Sequence, residues 1–405
     1  MQINLDDIAD LGIKVCVAVS GGADSLALCL LAKDWADSQN RQIIAVSVDH
    51  GLRTESADEC AWVAEILKNR GIEHHTLNWQ GEKPITGIQA AARKARYDLM
   101  AGWCADHGVK DLLVAHHLDD QAETFLMRLA RGSGVDGLSA MKSETTWGAV
   151  RILRPLLNVP KSDLEAYLRD QNQSWLEDPS NQNEDFDRVK VRQAMSMLSD
   201  IGLTPKRLSQ TASQMQRVRK TLDQLTNTWL SNHARLFEEG YVLLNRKGLL
   251  QDEDEILLRG LSRIGQVVSG ESYPPRLERL ERVLKKLQSG EPATLMGCRW
   301  LIAKEDILIC REIRNAEIPE KLYRLDEEES LAQVDLRILG EKGWTQVVKD
   351  RPVLKESTLP KPVILALPAL WDEQGVSAVP HLDYKREDVT YQVELTFIPE
   401  IRGNS

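Results

Sequence analysis

Six consecutive residues, Ser20-Gly21-Gly22-Ala23-Asp24-Ser25, put two glycines between hydroxyls and a carboxylate. A glycine-rich turn that opens a helix leaves N–H groups unpaired at the positive end of the helix dipole, and such a turn holds anions, most often phosphate. Ser20 and Ser25 can donate to phosphate oxygens, and Asp24 can hold Mg²⁺ or cap the helix. A second cluster, His116-His117-Leu118-Asp119-Asp120-Gln121-Ala122-Glu123, sets Asp120 and Glu123 three residues apart at a helix start, so they share a face. Two acids beside a nucleotide phosphate can bind Mg²⁺ or a substrate ammonium group. A plainer reading is capping, with Asp119 or Asp120 as the cap and Glu123 completing a capping box. Capping accounts for one acid well and two poorly, and it leaves both histidines without a role. Zinc does not fit the spacing, and no other His or Cys cluster completes a site. Arg131, before Gly132-Ser133-Gly134, suits either a phosphate fork or a helix C-terminal cation.

The elements that must position these groups alternate. Val15–Val19, Ile43–Val48, His74–Leu77 and Asp111–Ala115 read as strands, and Leu26–Trp35, Ser56–Asn69, Gly87–His107 and Asp119–Arg131 as helices. That order predicts an α/β domain with a doubly wound parallel sheet. Ligands of such sheets bind beyond the carboxyl ends of the strands. The glycine loop, Val48-Asp49-His50-Gly51-Leu52-Arg53 and the His116 cluster all fall there. No lysine follows the glycines, so this is not a GxxxxGK[ST] loop, and the absence of GxGxxG argues against a dinucleotide.

A chain of 405 residues predicts more than one domain. We expect a catalytic domain over 1–215, a mainly helical module over 216–315 and a small strand-rich segment over 316–405. Within these, Lys161–Gln171, Leu208–Asn227 and Arg276–Gln288 read as helices. Thr294–Ala303, Ile307–Ile313 and Tyr391–Ile398 read as strands, with Val363–Ala366 a short apolar run of the last segment. A net charge of −10 argues against a wholly nucleic-acid-binding surface. It permits a local basic face, and the stretch from Arg188 to Lys220 carries eight Lys or Arg. The six cysteines are scattered and none forms CxxC, which favours reduced thiols. No basic segment precedes an apolar run at the amino terminus, and no stretch approaches the roughly 20 apolar residues that span a bilayer, so a soluble cytoplasmic protein is expected.

SGGADS resembles the pyrophosphate loop of the N-type ATP pyrophosphatases. With VDHGLR, AARKARY (Ala91–Tyr97), HHLDDQAETFLMRLARGSG (His116–Gly134) and EDPSN (Glu177–Asn181), in this order and spacing, the stretch from about 13 to 195 resembles the tRNA(Ile)-lysidine synthetases. One segment departs from that pattern: where the family shows Arg-Asn-Arg-hydrophobic-Arg, this chain has Arg188-Val189-Lys190-Val191-Arg192, and Lys190 lacks the planar fork of arginine. The resemblance implies ATP and Mg²⁺ as cofactors, and as substrates free L-lysine and a tRNA(Ile) with a CAU anticodon. The wobble cytidine is adenylated and lysine then displaces AMP. It implies nucleotide contacts from Ser20, Gly21, Gly22, Ala23, Asp24, Ser25, Asp49, His50, His116 and Arg131, with catalytic roles for Asp24, Asp120, Glu123 and His117. Asp24 and Asp120 are the Mg²⁺ candidates, Glu123 the candidate for the lysine ammonium, and Arg93, Arg96, Arg188, Arg192, Arg217 and Lys220 the RNA contacts. Other N-type ATP pyrophosphatases, adenylating a small molecule or modifying tRNA differently, are the alternative, and a nucleotide-sensing protein without turnover is a second. The oligomeric state is left open.

Overall fold

A computed structural model describes residues 10–52, 55–81, 83–177, 187–250, 252–313, 322–326, 334–389 and 394–398, together with Ile3, Leu5, Ile8 and Ile318. The chain forms two compact units, 1–220 and 221–404. In the first, the element order is β1 (Lys14–Ala18), α1 (Ala23–Ser38), β2 (Gln42–Asp49), α2 (Ser56–Asn69), β3 (Glu73–Asn78), α3 (Ile88–Asp106), β4 (Asp111–Leu113), α4 (Leu118–Ala130), α5 (Val135–Leu138), β5 (Glu144–Trp147), β6 (Val150–Leu153), α6 (Lys161–Asp170), α7 (Asp187–Asp200) and α8 (Pro205–His233), the last running on into the second unit.

Six strands form one sheet in the order β3-β2-β1-β4-β6-β5. All neighbours are parallel except β5 and β6. The alternation of β1 explains the two layers: Val15, Val17 and Val19 enter the core shared with α1, α2 and α6, while Cys16 and Ala18 enter the core shared with α3. Winding proceeds outward from β1 to β2 and β3, then returns to β4 on the other side of β1. The gap between β1 and β4 is therefore the topological switch point, where this class of sheet binds its ligands. The antiparallel strand β5 was not expected from the pattern. Gly148, with φ of +59°, permits the tight return from β5 to β6.

At the other end of the sheet, Asp111 is fully buried. Its Oδ2 accepts from Gly12 N at 2.8 Å and its Oδ1 from Arg151 Nε at 2.6 Å. Asp111→Ala removes the acceptor of the Gly12 amide and the buried carboxylate that faces Arg151. We expect a loss of about 3 kcal/mol in urea denaturation.

The second unit contains a five-stranded antiparallel sheet in the order β7-β8-β11-β10-β9: β7 (Ala234–Leu236), β8 (Val242–Asn245), β9 (Ala293–Leu295), β10 (Cys298–Ala303) and β11 (Asp306–Arg311). Helices α9 (Asp254–Ser269) and α10 (Leu277–Gln288) pack on it around the fully buried Trp300. The stretch Thr294–Ala303, expected as one strand, is a hairpin. Met296 and Gly297 both adopt positive φ, +56° and +64°, and turn the chain. Further strands are β12 (Tyr323–Asp326), β13 (Asp335–Ile338), β14 (Pro368–Asp372), β15 (Gly375–Val379), β16 (Tyr384–Lys385) and β17 (Glu394–Phe397). They pair as β13-β14-β15-β16 and β12-β17. Helices α11 (Gly340–Asp350) and α12 (Lys361–Ala366) accompany them. The apolar run Val363–Ala366 is thus helical, started by Pro360 and Pro362 in the positions proline tolerates best. Of the strand expected at Tyr391–Ile398, residues 391–393 lie outside the described residues. Among the described residues, no helix is long and apolar enough to cross a membrane.

Candidate active site

The site is built where β1 ends. Gly21 has φ of +86°, and a Cβ there would stand 2.8 Å from Leu176 Cδ1 and 3.1 Å from Val63 Cγ2. Only glycine satisfies both the backbone and the space. Leu176 also donates its N–H to Gly21 O at 3.0 Å, so the segment after α6 is fastened onto the loop. Gly22, with φ of −71°, is the N-cap of α1 and offers no side chain to the first-turn amides. The N–H groups of Ala23, Asp24 and Ser25 consequently face outward from the helix start with no carbonyl of α1 to receive them. We expect Gly21→Ala to lower the melting temperature and ATP affinity together, with about 1–2 kcal/mol of backbone strain before the clash is counted. Gly22→Ala, whose nearest neighbours lie 3.8 and 4.0 Å away, should fold with at most about 1 kcal/mol lost.

The two serines divide the work differently from the sequence expectation. Ser25 is buried; its hydroxyl donates to Gly22 O at 3.0 Å and accepts from Ser20 N at 3.1 Å. These bonds shape the loop. Ser20 is exposed, and its hydroxyl stands 3.2 Å from that of Ser25.

Opposite the loop, His117 ends the β4 connection and is the N-cap of α4. The capping expectation needs correction. Asp120 Oδ2 accepts from His117 N at 3.1 Å, whereas Asp119 Oδ2 accepts from Lys161 N at 2.9 Å and thereby caps α6. Glu123 takes no part in the cap. The His117 ring is buried among three carboxylates: Nε2 lies 3.5 Å from both Asp24 Oδ2 and Asp120 Oδ2, and Nδ1 lies 3.5 Å from Asp119 Oδ2. Burial alone drives this imidazole toward neutrality, but the carboxylates of Asp119, Asp24 and Asp120 overcome it and raise its pKa to about 10. The three carboxylates thus hold the imidazole toward its protonated form.

Asp24 and Asp120 converge on the same imidazole edge, and Asp24 Oδ1 is buried without a hydrogen-bond partner. This pair fits Mg²⁺, which takes one or two carboxylates and completes its shell with water and phosphate oxygens. Among the described residues, no group of three or more His, Cys, Asp or Glu side chains is arranged to hold a metal by itself.

Between the loop and the end of β2 lies a cavity of about 380 Å³, within the range of small-molecule sites. Val46, Val48, Val63 and Met100 give it apolar walls; Ser20, Asp24, His50, Arg96 and Lys161 give it polar ones. Burial, then Arg96, lowers the pKa of His50, whose Nδ1 has no partner. Asp49 is held elsewhere. Its Oδ1 accepts from the Ser56 hydroxyl and from Gly51 N, and these bonds lower its pKa while organising the turn after β2. His116 is driven well below the usual histidine range by burial and then by Arg154, Arg93, Arg96 and Arg188.

Three other expected residues do not line this cavity. Arg131 is the C-cap of α4, fourteen residues and about 21 Å along the helix from His117, and is exposed, in the helix C-terminal position that the sequence also allowed. Arg192 and Arg188, expected on RNA, turn inward. Arg192 Nε donates to Glu123 Oε1 at 2.8 Å, and Arg188 Nε lies 3.7 Å from Oε2. The helix α7 that carries them was not read from the sequence, although four-residue spacing placed both arginines on one helical face. Arg217 lines a groove along α8 with Lys206, and Lys220 is exposed. Of the quoted motifs, Arg53 and Asp178–Asn181 lie outside the described residues.

Residues 4–198 match the model of the PP-loop domain family. The tRNA(Ile)-lysidine synthase of Wolbachia pipientis wMel is 36% identical over 387 residues, covering 92% of this chain and 89% of that one. That of Ruegeria pomeroyi is 36% identical over 375 residues, covering 91% and 88%. That of the Wolbachia of Brugia malayi is 33% identical over 402 residues, covering 95% and 92%. Alignment at this identity runs through both units, so the chain belongs to the tRNA(Ile)-lysidine synthase family.

Proposed function

We infer that this chain is an ATP-dependent ligase that joins free L-lysine to C2 of the wobble cytidine of a tRNA(Ile) bearing a CAU anticodon. The observation that carries this reading is the loop after β1: outward-facing amides at an uncapped helix start, beside an unpartnered Asp24 oxygen, on a cavity with apolar walls. Relatives named for this activity align over nine-tenths of the chain, and they give no support to another adenylating ligase.

In the first step the cytosine O2 attacks the α-phosphorus of ATP and pyrophosphate leaves. In the second the lysine ε-amine attacks C2 and AMP leaves. The amides of Ala23, Asp24 and Ser25 and the Ser20 hydroxyl would stabilise charge on the leaving pyrophosphate. The base of ATP fits the walls formed by Val46, Val48 and Met100. Mg²⁺, held by Asp24 and Asp120, would neutralise charge on the phosphate oxygens. Glu123 Oε2, which has no hydrogen bond, is an acceptor for the lysine ammonium. Lysine must lose a proton before attack, and an exchange of partners with Arg188 and Arg192 would carry that carboxylate between its two states. RNA would meet the basic face of α8, where Lys206 and Arg217 lie. Six free cysteines accord with a reducing, cytoplasmic setting.

The test is one incubation with ATP, labelled lysine and tRNA(Ile) of CAU anticodon. The expected result is equal yields of AMP, pyrophosphate and lysine-bearing tRNA. Release of inorganic phosphate without AMP, or label in a small molecule with tRNA omitted, overturns the reading.

A further inference from the structure

Lys161 opens α6 and lies outside every motif that pointed to the site. Both ends of that helix are fastened to the site. Before it, Leu118 N at the start of α4 donates to Val159 O at 2.9 Å, and Lys161 N donates to Asp119 Oδ2 at 2.9 Å. After it, Leu176 N donates to Gly21 O at 3.0 Å. Between these ends Leu164 and Leu168 are fully buried in the core shared with α1, and the Tyr167 hydroxyl donates to Asp34 Oδ2 at 3.2 Å. The backbone of Lys161 is thus fixed beside the carboxylates that face His117, and its half-buried side chain lines the cavity with Ser20, Gly22 and Asp24. The acids around it are engaged elsewhere: Asp119 meets the Lys161 amide and the His117 ring, and Glu177 Oε1 accepts from Trp175 Nε1 at 2.9 Å. Among the described residues, no carboxylate pairs with the Lys161 ammonium. A cation held on a cavity wall without a counter-ion is matched by an anionic ligand.

We propose that Lys161 supplies the cation that the glycine loop lacks, its ammonium holding the β- and γ-phosphates of ATP and then the departing pyrophosphate. Loops of the GxxxxGK[ST] kind carry such a lysine beside their glycines, where it reaches those phosphates. Here no lysine follows the glycines, and the amides at the start of α1 amount to about half an elementary charge. Lys161 enters from a later helix instead. β2 and β4 flank β1 on opposite sides. Val46 and Val48 of the apolar wall belong to β2, while Lys161 is bonded to the start of α4, which follows β4. Lys161 is therefore rooted away from the wall that suits the base, on the side where Asp24 and Asp120 converge. As the bond from cytosine O2 to the α-phosphorus forms, the bond from that phosphorus to the bridging oxygen breaks, and its electron pair stays on pyrophosphate. The ammonium donates hydrogen bonds to this growing charge and transfers no proton; three donors on a compact charge suit several phosphate oxygens at once. This inference rests on the function proposed above, for ATP as the nucleotide and its α-phosphorus as the point of attack.

The experiment uses the full chain with Lys161→Met and measures affinity for ATP, AMP and inorganic pyrophosphate, each with Mg²⁺ and no RNA. ATP and pyrophosphate are expected to bind about 10- to 100-fold more weakly, the worth of one charge-assisted hydrogen bond or two. AMP, which has neither of the two outer phosphates, should stay within about twofold, and Lys161→Arg should restore most of the loss because it keeps the charge. A merely structural role for Lys161 would weaken all three ligands together, so an equal loss of AMP affinity overturns the proposal. Unchanged affinity for ATP and pyrophosphate overturns it as well. If Lys161→Met fails to fold, Lys161→Gln, which keeps a donor and loses the charge, is judged by the same outcomes. A wild-type protein that transfers lysine to tRNA while the variant matches it in all three affinities refutes Lys161 alone. A wild-type protein that binds ATP and pyrophosphate but transfers no lysine refutes the function, and the variant's affinities still decide the role of Lys161.

Discussion

Replacing Asp24 with asparagine is expected to lower AMP formation at least 100-fold while leaving tRNA binding intact. The substitution preserves shape and removes one charge from the point where the loop after β1 faces α4. That charge does two things. Its Oδ1, buried without a hydrogen bond, is the strongest candidate on the loop for Mg²⁺. Its Oδ2 lies 3.5 Å from His117 Nε2, and without it Asp119 and Asp120 are the carboxylates left facing that ring. Loss of one fixed group that stabilises transition-state charge costs about 10²–10³ in rate. Pyrophosphate exchange into ATP and filter binding of tRNA separate the two effects. A rate within tenfold of wild type would remove Asp24 from the chemistry.

The second large effect is on stability and concerns Glu123 and Arg192. The two sides of this pair are unequally buried: the Glu123 side chain is 3% exposed and that of Arg192 45%. Arg192→Met should therefore cost about 3 kcal/mol in urea denaturation, because it leaves a buried carboxylate with only Arg188 at 3.7 Å. Glu123→Gln should cost about 1 kcal/mol, since both arginines can turn to water. Combining the two substitutions should give a protein more stable than Arg192→Met alone. Equal costs for the single variants would mean that burial does not govern this contact. A lysine-transfer assay on Glu123→Gln, which still folds, then reports on the ammonium site without the confounding loss of structure.

How much of this was legible in the sequence depends on the range of the interaction. Strands and helices of the first unit follow from local apolar periodicity, so β1 through α4 were readable to within three residues at each end, as were the loops that follow β1, β2 and β4. Alternation of β and α then placed those loops on one side of a sheet. What periodicity does not carry is partner choice. Ser25 has the composition of a phosphate donor, yet a carbonyl three residues away takes its proton. Asp49 looks like a ligand group and is instead tied to Ser56 and Gly51. Arg192 reads as basic and no more, yet it pairs with an acid 69 residues earlier in the chain. Arg154 belongs to no motif, and its position depends on an antiparallel strand that short, mixed residues such as Glu144–Trp147 do not announce. In the second unit, positive φ at Met296 divided an apparently continuous strand, a conformation methionine does not advertise.

The uncapped start of α1 has an outcome for anyone mapping this protein by alanine scanning. Truncating the side chain of Ala23 is meaningless, and truncating Ser25 would report loop geometry and not ligand contact. On the function proposed above, the principal donors to the nucleotide would be peptide groups, which no natural replacement deletes. A semisynthetic chain with a backbone ester in place of the amide at Ala23 or Asp24 would delete one donor at a time, and it would reveal a contribution that conventional mutagenesis is blind to.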